Sequence, residues 1–156
     1  MAVLAEKLVE IIESRADDLS MTWYREVKES HWTPNVKNLS EEEALAIARR
    51  VYSKLSHWLI PQTESEVQET YLRFGEQCYY KGFRMEEMVM LLVLIKRHLW
   101  LHLLEQGVMT TNIEVYQALD VNNKVVLYFD RAIYFSLIGF KKAREESVKA
   151  KTKAES

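Results

Sequence analysis

Few residues in this chain have the type and spacing that chemistry needs. His98 and His102 stand four apart in a stretch of helical periodicity, which points two imidazoles in one direction. Such a pair could be half of a metal site. A third ligand at adjacent spacing is missing; Glu105, three residues past His102, is the one candidate. The pattern predicts paired histidines on a helix surface and no metal centre. Cys78, the single cysteine, lies beside Tyr79 and Tyr80 with no histidine within helical reach. Without a base it reads as a buried, inert thiol. The sequence contains no GxGxxG, P-loop, G-x-S-x-G or HExxH. The acidic residues gather at helix starts, as in Glu86-Glu87, or on solvated faces, as in Asp17-Asp18. No catalytic residue is expected, and the chain does not read as an enzyme.

The elements that must carry these residues follow from composition. A length of 156 residues is one domain, and 48% apolar content supplies a core. Four glycines and two prolines are too few for the frequent turns of a sandwich or barrel. A net charge of −2 creates no field for nucleic acid or anionic membrane. The longest apolar run, Met88 to Ile95, is too short to span a bilayer. One cysteine and no signal-peptide core predict a soluble, cytoplasmic chain.

The spacing predicts an all-α, five-helix bundle. Ser40-Glu43, Thr63-Glu66 and Thr111-Glu114 have the capping-box pattern, and Gly82 and Gly107 stand where helices should stop. Helix one covers about 2–29, with Leu4, Leu8, Ile11 or Ile12, Leu19, Trp23 and Val27 on one stripe. Helix two runs from 41 to about 59 and buries Leu45, Ala48, Val51, Tyr52 and Leu55. Helices three and four span about 64–81 and 85–105. Helix five starts near Asn112 and contains no breaker other than Gly139. At about 1.5 Å per residue it outruns a globule of this size, so its end should project. One apolar stripe carries Leu119, Asn122, Val126, Phe129, Ile133, Ser136 and Phe140, and a second carries Tyr116, Tyr128, Ala132 and Phe135, so one face can pack inside while the other meets a second chain. Residues 141–156 hold six basic and three acidic residues and read as a charged helical linker, leaving 1–140 as the folded domain.

The stretch from Arg73 through Lys81-Gly82-Phe83 to Leu94-Ile-Lys-Arg97 and Trp100, followed by Tyr128-Phe-Asp-Arg-Ala-Ile133, resembles the N-terminal domain of RsbR/RsbRD-type signalling proteins. These are co-antagonists of the RsbT kinase in bacterial stress responses, and similar modules precede histidine kinases. The resemblance implies a dimeric, all-helical sensory module whose last helix joins an output domain, either STAS or kinase. Arg73, Gly82, Arg97 and Asp130 match its polar or turn positions, with structural roles; Gly82 would turn helix three into helix four. The family is similar in outline to globin-type sensors, whose haem-ligating histidine falls four residues before a glycine. That position here is Cys78. A thiolate can hold haem iron, but the missing imidazole favours a haem-free, globin-like sensor.

The leading expectation is a non-catalytic sensor that homodimerises and relays a signal through Phe129, Ile133 and Phe140 of its last helix. A haem- or small-ligand-binding sensor using Cys78, Tyr79, His98 and His102 is the alternative. A ligand-free helical adaptor is the third.

Overall fold

The computed structural model describes residues 2–107 and 111–155, with side chains from residue 6 onward. Among the described residues every regular element is helical: α1 (Ala2–Ser14), α2 (Ala16–Glu29), α3 (Glu41–Tyr52), α4 (Leu55–Trp58), α5 (Glu64–Tyr80), α6 (Met85–Glu105) and α7 (Asn112–Glu155). Two short 3-10 turns, Pro34–Asn38 and Pro61–Thr63, complete the order. No helix among them is long and apolar enough to cross a membrane.

The expected helix one is broken at Arg15, whose φ of −116° and ψ of 20° leave the α region. The expected helix two is broken at Lys54, with φ −131° and ψ 32°. Neither site carries a proline or glycine. At the second break the Glu13 carboxylate accepts from both Ser56 N and Ser56 Oγ, so α1 caps the short α4. The breaks let α1 lie against α4 and α7 while α2 lies against α3 and α6. Tertiary packing, which local propensity does not record, divides these helices.

Elsewhere the predicted stripes face the core. Leu8, Ile12, Leu19, Trp23 and Val27 are buried, as are Leu45, Ala48, Val51, Tyr52 and Leu55; the Leu4 side chain lies outside the described ones. α6 is covered on most sides, with Met88, Leu91, Leu92, Leu94, Ile95 and Leu99 in the core. Trp23 Nε1 donates to Leu91 O (3.0 Å) and Tyr52 OH to Ile95 O (2.6 Å), tying α2 and α3 to α6 through its carbonyls.

Two of the three capping boxes form. Ser40 and Glu43 exchange bonds of 2.9 and 3.1 Å, and Thr111 and Glu114 bonds of 3.2 and 3.1 Å. Thr63 does not cap α5. Wound into a 3-10 turn, its hydroxyl turns back to Ile60 O, and Glu66 pairs with His57 instead. Gly82, at φ +83°, ends α5: Phe83 N donates to Cys78 O and Gly82 N to Tyr79 O, the paired bonds of a left-handed helix terminus. It turns α5 into α6, as expected.

Candidate functional site

α7 is a single helix of 44 residues, about 65 Å long. Gly139 does not interrupt it. Gly139 instead rests on the Leu72 carbonyl, and Gly75 of α5 rests on the Ser136 carbonyl, so a Cβ at either position would collide with backbone. Two backbones can approach this closely only where a side chain is missing. Ser136 Oγ donates to Ala132 O within α7, which keeps the hydroxyl satisfied at the crossing. Arg131 reaches Glu64 (3.7 Å), Tyr128 bonds Tyr71, and Phe140 meets Tyr79 edge-on. The start of α5, Glu64, lies by Arg131 and its end, Tyr79, by Phe140, so α5 and α7 run parallel.

This seam fixes which face of α7 is internal. Ala118, Val121, Val125, Tyr128, Phe129, Ala132, Ser136, Gly139, Phe140 and Ala143 are buried. At about 100° per residue they occupy one side of the helix. On the opposite side, Tyr116 (75% exposed), Leu119 (53%), Leu127 (48%), Tyr134 (60%), Ile138 (39%) and Val148 (57%) share a face roughly 100° wide. α7 thus carries two apolar faces, one filled by its own chain and one open. Of the residues expected to pair with a second chain, Phe129 and Phe140 belong to the internal face and Ile133 is half-buried. The outward surface is made by other residues, one or two positions away. Beyond Ala143 the helix continues for twelve residues in which all but the half-buried Ser147 are exposed, so its end projects.

The residues expected to hold a ligand do not converge. Cys78, 4% exposed, lines a groove between α3 and α5 whose walls include no histidine. Burial, then the nearby Glu87 charge, pushes its thiol up to about 12, so it is neutral and a poor metal ligand. Tyr79 packs into the α5–α7 seam. His98 turns to α2, where its Nε2 lies 2.6 Å from Glu26 Oε1. His102 Nε2 is buried with no hydrogen-bond partner among the described residues, as is Trp100 Nε1. No three His, Cys, Asp or Glu side chains gather around a common point among the described residues. The groove beside Cys78, about 260 Å³, is below the roughly 300–1,000 Å³ of drug-sized ligand sites. The residues present do not fit haem.

The four family-type positions are dispersed. Arg73 pairs on the surface with Glu69 of its own helix. Arg97 and Asp130 are exposed, and Asp130 lies on the outward face of α7 between Leu127 and Tyr134. One carboxylate that the sequence reading left as a helix-dipole partner does more. Glu87 is fully buried and accepts from Arg84 N (2.8 Å), Asn35 N (2.8 Å) and Asn35 Nδ2 (2.7 Å). It joins the 34–38 turn to the start of α6. Burial alone would raise its pKa, but these bonds outweigh it and hold the carboxyl below the usual carboxylate range.

No family model, curated protein or solved structure matches the chain. The fold and site define an all-α domain built around a long helix with one filled and one open apolar face.

Proposed function

We propose that this chain is a non-catalytic regulatory sensor domain that pairs with a second copy through the outward face of α7. The projecting end of α7 carries the change in pairing to an output domain, in the manner of the RsbR-type modules and globin-like sensors it resembles. The carrying observation is the open apolar stripe from Tyr116 to Val148, opposite the buried one. It runs roughly 48 Å along the helix. A strip of that length and about one helix wide, counted on both copies, approaches the roughly 1,000 Å² that a specific interface needs. A single helix face is also self-complementary, as a two-fold interface requires. Val148 lies past the last buried residue of α7, Ala143, so this part of the stripe is offered to a partner clear of the chain's own bundle.

Two arrangements of the pair would differ by a small rotation about α7, and a signal that favours one shifts the population. The seam with α5 makes α7 rigid enough to transmit such a rotation. In this reading residues 1–140 form the sensing and pairing domain, and 141–156 extend the pairing stripe to Val148 and link to the output.

Sedimentation velocity tests the reading. The full chain should sediment as a dimer, and Leu127→Glu combined with Tyr134→Glu should sediment as a monomer with unchanged helical circular dichroism. A monomeric wild type, or a dimer that survives both charges, would contradict it.

A further inference from the structure

The groove between α3 and α5 has a composition that the pairing reading does not use. Its floor and walls are apolar: Ile47 from α3, Phe74 and Cys78 from α5, and Phe83 just after the Gly82 turn. Three charged side chains line it. Lys81 Nζ and Glu43 Oε2 lie 3.1 Å apart and neutralise each other, and Glu43 is further held by Ser40 N. Arg50 is different. It lines the same groove, it is half-buried, and no carboxylate pairs with it among the described residues. Its backbone carbonyl accepts from Trp58 Nε1, which anchors the residue without engaging its guanidinium. Its charge is felt in the core. Burial pushes the Tyr71 hydroxyl up and the Tyr128 hydroxyl well up, and the Arg50 cation partly offsets that for both.

A half-buried arginine that lines an apolar groove and has no carboxylate partner among the described residues is an incomplete pair. We propose that this groove binds a small organic monocarboxylate with a compact apolar body, the carboxylate lying on Arg50 and the body on Phe74, Cys78 and Phe83. A planar guanidinium matches a carboxylate with two parallel N–H···O bonds, which a lysine could not supply. The ligand carries one charge because the groove offers one uncompensated cation, and a phosphate-bearing ligand would meet Glu43 with its second charge. The cavity of about 260 Å³ suits a molecule smaller than a drug-sized one. The neutral Cys78 thiol acts as an apolar wall. This site lies within one chain and does not rest on the pairing of α7.

The experiment is isothermal titration of the full chain with 2-naphthoate and with its neutral isostere 2-naphthamide. Naphthoate should bind saturably at one site per chain, and the amide roughly tenfold more weakly, because a charge-assisted bond is lost. Arg50→Met should level the two affinities. Ala46→Phe, at an exposed position on the groove rim, should abolish both without entering the core. The dimer-breaking Leu127→Glu, Tyr134→Glu chain should bind naphthoate as the wild type does. Equal affinity for acid and amide, absence of saturable binding, or full naphthoate affinity in either groove variant would overturn the proposal.

Discussion

Glu87 sets the terms at the scale of single residues. Its carboxylate has no exposed surface and three N–H donors, so it is a satisfied buried charge. Glu87→Gln puts an amide N–H where an acceptor is required. The loss should be about 2 kcal/mol at neutral pH, from the usual worth of a hydrogen bond to a charged group. Because the folded-state pKa is lowered, the stabilisation is present above the ordinary carboxylate pKa. It disappears as pH falls through the folded value. Urea unfolding of wild type and variant should therefore converge in acid and diverge above about pH 5. The Tyr71–Tyr128 hydroxyl pair is equally closed to water. Tyr128→Phe alone leaves the Tyr71 hydroxyl unpartnered and should cost about 1–3 kcal/mol. Adding Tyr71→Phe should recover part of that cost, which a double-mutant cycle reads directly. In the sequence, Glu87 looked like any acid in a first helical turn. Its partner Asn35 is 52 residues away, and no local pattern records such a pairing.

Among the elements, the α5–α7 seam depends on two missing side chains. Gly75→Ala or Gly139→Ala drives a Cβ into backbone on the facing helix, where nothing flexible can yield. Each should lower stability by about 3 kcal/mol or more, the upper range for overpacking. Gly107→Ala is the contrast: its φ of +60° strains alanine, but no described residue stands in the way of its Cβ, so about 1 kcal/mol is expected. Thermal melts of the three variants would separate steric from conformational cost. Much of this level was legible beforehand. Capping residues, the Gly82 turn and the apolar stripes of α2, α3 and α6 are short-range signals, and they marked their elements. The breaks at Arg15 and Lys54 were not, because both residues are sound helix formers. Gly139 stood out as the one breaker of the last helix, yet it is a packing notch, a role visible only once α5 lies beside it. The periodicity of α7 announced two apolar faces. It could not say which face the chain itself would fill, and so it did not reveal that Phe129 and Phe140 are internal.

At the scale of the whole molecule, signal relay requires α7 to be bundle member, pairing surface and lever together. The outward stripe and the projecting end lie on one continuous helix, so any twist at Leu127 and Tyr134 reaches Val148 without crossing a joint. Relay to a shared output further requires the two copies of α7 to run in the same direction. Spin–spin distance measurement on a Val148→Cys label decides this most directly, since the buried Cys78, with its thiol pushed up to about 12, should escape labelling. Parallel pairing along the stripe predicts a narrow distribution below about 25 Å, the width of two helices and their labels. An antiparallel pair centred near Tyr134 would instead separate the labels by roughly 42 Å. That longer distance, or no measurable coupling, would contradict the account.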